Sequence, residues 1–367
     1  MKIAKIEAIP LRIPFKRGNQ SDASAWADKD SPAADALLVK VTSDQGLEGW
    51  GEAFGFHAVK SAQLAIDELI APLCIGKNAA QIAPLMLDIQ KKLHIFGRSG
   101  ALMFGLAAVD IALWDIAGKA ANTPLHQLLG GGITDLPCYA SLVRFSDPSR
   151  VRDNVRAAIE SGFRSVKLHE IELAAIRAAR EEAGPDVEIM LDANCAWTLS
   201  EAQKRAKELK EFHLKWLEEP VWPPENYSGL AELRGTCGIP IAAGENVSTL
   251  MDFERLLAAR AVDFVQPSTA KTGGVSDLCK VFSIAAVRNV AVMLHSFYEG
   301  AGLLAAIHAT AAFGTADAMI EWRVFDLENH VYGDALAPTR GRIAVPQTPG
   351  LGLDPDPDVI RTYATFS

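Results

Sequence analysis

From residue 137 to residue 322 the chain repeats one unit, a short apolar run followed by a stretch of helical periodicity. The runs fall near 137–143, 164–169, 188–192, 214–218, 239–244, 262–267, 291–295 and 318–322. Amphipathic segments lie between them, such as SEAQKRAKELKEF (200–212). There Ser200 is the expected N-cap, and Glu201 in the first turn suits the helix dipole. Strands joined through helices run parallel, because each crossover carries the chain back to the same edge. Eight such strands with seven intervening helices make a (β/α)7β barrel.

The first part of the chain is different. Residues 3–13 and 36–43 alternate as strands, and DQGLEGWGEA (44–53) turns at Gly46 into a third. Helical periodicity follows over 58–73, 79–95 and 101–119. The expected fold is therefore α/β, a TIM-like barrel with an N-terminal α+β capping domain. Gly130-Gly131-Gly132 marks a junction, and the Gly- and Pro-rich tail 345–359 reads as an ordered connection returning to the first domain. The expected division is 1–125 (cap), 126–335 (barrel) and 336–367 (returning segment). The most apolar stretch, 101–117, is interrupted by Asp110 and Asp115 and is short for a membrane span, so it reads as a buried helix.

Composition narrows the function classes. The net charge of −9, without a basic tract, argues against nucleic acid as a partner. The N-terminal residues read as a strand and not as a signal peptide. Five cysteines without a CxxC pair point to reduced thiols in a cytoplasm, and away from zinc or a disulfide framework. Cys195 reads as a small packed side chain.

Three acids end three successive runs: Asp192, Glu218 and Glu245, spaced 26 and 27 residues apart. One strand–helix unit is about that long, so the three carboxylates meet at one end of the barrel. Such a cluster repels itself unless a cation holds it, and hard oxygen donors suit Mg²⁺. The other strand ends supply Lys167 and His169, Gln266 and Ser268 followed by Lys271, then His295, then Glu321. Lys167 and His169 alternate onto one side and face His295 across the mouth. A metal flanked by two bases suits removal of the proton next to a carboxylate, because a divalent cation offsets the charge of the ene-diolate formed. Asn194 is either a neighbour of a bound ligand or a turn residue. Glu219 should point to the opposite face, His308 should be a core histidine, and Gly273-Gly274 should permit a close loop-to-helix turn.

These residues together resemble the enolase superfamily, in its mandelate racemase-like branch. The motifs LDAN, WLEEP, GEN, KxGG and the late His and Glu carry the resemblance, as does AAVDIALWDIAGKAANTPLHQLLGG (107–131). It implies one Mg²⁺ per chain and a small-molecule carboxylate as substrate; a homo-oligomer is expected because barrels of this size commonly form symmetric assemblies. It also implies catalytic roles for Lys167, His169, His295 and Glu321, with Asn194, Ser268 and Lys271 beside them. His169 stands where the family usually has a basic Lys, and Lys167 would then orient or neutralise the substrate carboxylate. Ser268 stands where an Asp usually supports the seventh-strand His, so His295 should be less basic, and Glu299 is a candidate substitute. The implied reaction is dehydration of a sugar acid, with racemisation or epimerisation as the alternative. A Mg²⁺-dependent acid-binding protein with weak turnover is a third reading, and a metal-dependent or Schiff-base aldolase a fourth. The loops 15–30 and 54–60 should close over the substrate, with Lys16, Arg17 and Trp26 as contacts.

Overall fold

A computed structural model describes residues 1–16 and 33–365. Strands β1 (Ile3–Pro14), β2 (Ala33–Ser43) and β3 (Glu48–Ala53) form an antiparallel sheet in that order. The middle strand is apolar on both faces because both are covered. Leu37, Val39 and Val41 pack with Ile66, Ile70 and Leu106 of the cap helices. Ala36 and Leu38 belong to the larger core that the barrel shares. The expected helix over 58–73 is a run from Val59 to Cys74 with a π-helical turn at Ala65–Ile70. The helix Ala101–Ala120 lies directly on β3, and a Cβ at Gly51 would sit 1.8 Å from the Ala108 carbonyl oxygen.

Eight parallel strands follow: β4 (Asp135–Ser141), β5 (Ser165–Leu168), β6 (Glu188–Asp192), β7 (Trp216–Glu218), β8 (Ile241–Ala243), β9 (Phe264–Val265), β10 (Ala291–Val292) and β11 (Ile320–Arg323). Seven helices separate them, and the sheet runs in the order β10-β9-β8-β7-β6-β5-β4-β11, curled into a barrel. Between β10 and β11 no main-chain ladder runs among the described residues. There Ser296 closes the wall, donating from its amide and its hydroxyl to the Glu321 carboxylate and carbonyl, each at 2.9 Å. Tyr139, Met190, Trp216, Met293 and Met319 fill the barrel interior below the site. The helix expected from Ser200 spans Leu199–Leu209 and is capped by Thr198, not Ser200. Thr198 and Glu201 form a reciprocal capping box, which satisfies two otherwise free amides at once.

Acids from the cap lock the two parts together. Glu52, at the end of β3, accepts from the amides of Gly300 and Gly302 at 2.9 Å and of Glu299 at 3.2 Å, at the start of the helix Ala301–Phe313. Asp110 accepts from the Ser276 amide at 3.0 Å in the first turn of the helix Gly274–Val287. Both helices thus have their free amides met from the other part of the chain. A Cβ at Gly274, whose φ is 76°, would sit 2.4 Å from the Asp110 carboxylate, so the glycine makes room for that cap. Burial, with the hydrogen bonds opposing it, pushes both carboxyls up to about 7. Asp115 accepts from the amides of Trp50 at 2.9 Å and Leu351 at 2.7 Å. The acids that interrupt the most apolar helix are therefore its connections. That helix is long and apolar enough to cross a membrane, but it is mostly buried inside the fold.

The tail meets the barrel first. Strand β12 (Arg342–Ala344) pairs antiparallel with the start of β4. The chain then reaches the cap, where the Thr365 amide donates to the Pro10 carbonyl at 2.9 Å. His308 is fully buried. One ring nitrogen accepts from the His126 amide at 3.1 Å, and the other faces the Leu351 carbonyl at 3.0 Å. Burial pulls it down to about 4, as suits a core histidine.

Candidate active site

The register of the sheet places Asp192 directly opposite Glu218 at the ends of β6 and β7. Glu245 joins them from the loop after β8, and one carboxylate oxygen from each lies within 4.8 Å of the others. All three side chains are buried. Below them Lys167 bonds Glu218 and Glu321 at 2.8 Å and lies 3.4 Å from Asp192. Trp216 Nε1 and Gln266 Nε2 donate to the other oxygen of Glu218 at 2.9 and 2.8 Å. Burial alone would discharge Lys167, but Glu218 and Glu321 hold its ammonium well above the ordinary lysine value. Lys167 alone does not balance the acids it touches. Burial pushes Glu218 up to about 8, with Asp192 and Glu321 adding to the push against Lys167. Glu321 is held at about 2, chiefly by Lys167 overcoming burial. Three hard oxygen donors carrying unbalanced charge fit a divalent cation.

Two histidines flank this floor. His169 Nδ1 lies 2.5 Å from the Leu142 carbonyl, an acceptor only, so the proton of the neutral ring sits on Nδ1. In that neutral ring Nε2 presents a lone pair; it lies 3.4 Å from Asp192, so the protonated ring would instead donate to that carboxylate. His295 Nε2 is 3.0 Å from Glu245, and its Nδ1 is 2.9 Å from Ser268 Oγ. Ser268 Oγ also contacts the Tyr298 hydroxyl, which in turn accepts from the Ala270 amide. Among the described residues the only acceptor for the Tyr298 proton is Ser268. Ser268 must then donate to His295 Nδ1, and the ring proton lies on Nε2. Burial first holds His295 below the ordinary histidine value, against the pull of Glu245.

Above lies a cavity of about 920 Å³, open to solvent between the cap and the strand ends. His169, His295, Asn194, Glu245 and Lys271 line it, with Phe54, Phe56 and His57 from the cap. Lys271 Nζ sits 3.3 Å from Glu245 and 4.4 Å from the centre of the Phe54 ring.

Several expectations need correction. Lys167 does not line the mouth, because its ion pairs hold it beneath the carboxylates; it is 1% exposed. Glu299 does not support His295; it pairs with Arg323 and lies 3.3 Å from His330. Glu219 does not follow strand alternation. Its φ is 42°, and its carboxylate accepts from Asn246 Nδ2 at 2.8 Å, close enough for Glu245 and Asp192 to add to the burial that raises it. Cys195 is not packed away but lines the cavity, its thiol raised by burial and by Glu219. Lys16 is exposed and is not among the lining residues, although its neighbour Phe15 is. Arg17 and Trp26 lie outside the described residues. Sequence reasoning missed Arg144, just past the end of the first barrel strand, which lines the cavity. The rule that found the other strand ends applies equally to this one.

Comparison with known proteins agrees with this architecture. Residues 150–359 match the enolase C-terminal domain-like family, and residues 27–130 match the N-terminal domain of mandelate racemase and muconate lactonizing enzyme. The chain belongs to the enolase superfamily, in its mandelate racemase/muconate lactonizing enzyme-like branch. Arabinonate dehydratase of Saccharolobus solfataricus is 28% identical over 94% of this chain and 95% of its own. The crystal structure of 3,6-anhydro-D-galactonate cycloisomerase from Zobellia galactanivorans has a TM-score of 0.85 at 29% identity, covering 100% of both chains. A racemase from Streptomyces coelicolor A3(2), solved with bound magnesium, has a TM-score of 0.89 at 27% identity, covering 99% of this chain and 100% of that one.

Proposed function

We propose that this chain is a hydro-lyase that removes the proton next to the carboxylate of a sugar acid and expels water. The observation that carries the reading is the carboxylate triad flanked by two histidines whose ring protons sit on opposite nitrogens. Asp192, Glu218 and Glu245 would hold one Mg²⁺, which supplies positive charge against the ene-diolate as it forms. His169, with its Nε2 lone pair, takes the α-proton. It is then the group that carries a mobile proton, and it returns that proton to the departing β-hydroxyl, so that water leaves and an enol remains to become a 2-keto-3-deoxy acid. His295 donates a hydrogen bond from Nε2 to a substrate oxygen on the opposite face. Lys167 and Glu321 act below the reacting atoms, fixing the ligand carboxylates. Asn194, whose amide bonds Asp192 at 2.8 Å, and Lys271 complete the rim.

A racemase needs its two bases to exchange roles, whereas here the hydrogen bonds leave Nε2 of the neutral His169 ring as an acceptor and make Nε2 of His295 a donor. The dehydratase relatives favour elimination, and the magnesium-bearing neighbour favours the metal. We assign residues 1–125 to the cap, 126–335 to the barrel and 336–367 to the returning segment. We assign the chain to the cytoplasm, which its five unpaired cysteines suit.

The test is incubation with Mg²⁺ and a panel of aldonates and aldarates in D₂O. The expected result is a dehydrated product that disappears with EDTA and in His169→Asn. Deuterium at the α-carbon without loss of water would favour the isomerase. Full activity after exhaustive chelation, or neither exchange nor product with any acid, would overturn the reading.

A further inference from the structure

The segment after β4 is tied to the residues after β5 by four hydrogen bonds. His169 Nδ1 meets the Leu142 carbonyl, and Arg144 Nε donates to the His169 carbonyl at 2.6 Å. The amides of Phe145 and Ser146 donate to the Glu170 carboxylate at 2.7 and 3.0 Å. This clasp fixes the His169 ring and the Arg144 guanidinium as one unit. It uses only one donor of the guanidinium. The outer edge, Nη1 and Nη2, makes no hydrogen bond among the described residues, and Nη2 is buried without a partner.

The other Lys and Arg side chains lining the cavity are occupied. Lys271 is held by Glu245 and Asn246, and Arg323 by Glu299. Arg144 is thus the one lysine or arginine of the described lining whose Nη groups make no hydrogen bond among the described residues, although Glu170 and Asp192 attract its charge. A buried donor without an acceptor is costly, and the planar fork matches two oxygens side by side better than a single one.

We propose that Arg144 contacts the substrate, its outer guanidinium edge holding a pair of substrate oxygens on the His169 side of the cavity. This rests on the acid-sugar reading above and adds a specificity residue to it. The oxygens belong to either a distal carboxylate or a pair of neighbouring hydroxyls.

Wild type, Arg144→Gln and Arg144→Lys are compared with Mg²⁺ on D-galactonate, galactarate and the other acids of the panel. Deoxy analogues of the best substrate are then added. Arg144→Gln should lower kcat/KM by about 10- to 100-fold, mainly through KM. Arg144→Lys should recover only part of the loss, since a point charge does not replace a fork. The decisive readout is discrimination. One oxygen-deleted analogue should be handicapped in wild type and not in Arg144→Gln. If that oxygen belongs to the distal carboxylate, the substrate is a diacid; if it is a hydroxyl, the neighbouring hydroxyls are the contact. An equal loss on every analogue would mean that Arg144 only positions His169, and would overturn the contact. So would activity within twofold of wild type. Turnover with unchanged ratios defeats Arg144 alone, whereas a chain that neither binds nor turns over any acid defeats the acid-sugar reading as well.

Discussion

At the scale of single residues, proton placement divides the labour between the histidines. His169→Asn keeps a donor for the Leu142 carbonyl but loses the lone pair. Exchange of the substrate α-proton should fall by roughly 10²–10⁴-fold. Survival of exchange would remove His169 from the role of base. Ser268→Ala should act differently, because it frees His295 Nδ1 and strands the Tyr298 proton while leaving His169 untouched. Net turnover should drop only about tenfold, far less than exchange falls in His169→Asn, a contrast that NMR in D₂O reads directly. The triad was legible in the sequence because each acid closes an apolar run at one repeat length. Glu219 was misread because alternation assumes an extended backbone, and its left-handed φ breaks that assumption. The Ser268–Tyr298 link was invisible because nothing local relates residues 30 apart.

At the scale of elements, the buried acids of the cap act as remote helix caps. Asp110→Ala leaves the Ser276 amide without its acceptor, which should cost about 1–3 kcal/mol in urea unfolding. Asp110→Asn keeps an acceptor and should cost less. The same carboxyl links stability to pH. Its folded value of about 7 lies above the ordinary 3.8, so the folded chain binds that proton more tightly. Its contribution is full below about pH 4 and is lost as pH rises through about 7. The stability of wild type relative to Asp110→Asn should therefore fall between pH 4 and pH 8, and a pH-independent gap would contradict the assignment. Alternation and periodicity revealed the elements themselves. They did not reveal that Asp110 serves a helix 166 residues away, because its partner is fixed only by the packed fold. The Ser200 cap was two residues off, since Thr198 and Glu201 form the reciprocal pair while Gln203, three residues past Ser200, turns to Glu232.

At the scale of the whole molecule, the cap and the barrel share one cavity, so metal binding should be felt globally. A ligand that binds only the folded chain stabilises it by about 2.7 kcal/mol at a hundredfold excess over Kd. Added Mg²⁺ should raise Tm in wild type and do so far less in Glu245→Gln. Equal shifts in both would mean that the ion binds elsewhere. The architecture was legible because eight repeats leave few alternatives. What sequence could not supply was the path of the tail, which pairs with β4 before it reaches the cap.

The gap in the ladder between β10 and β11 bears on how such a scaffold changes its chemistry. His169 stands on a wall stitched by continuous main-chain pairing, whereas His295 stands next to a seam closed by Ser296 and Glu321. Substitutions near that seam can slide the donor by fractions of an ångström without disturbing the base. A barrel built this way keeps its base in place and leaves the hydrogen bond across from it open to adjustment.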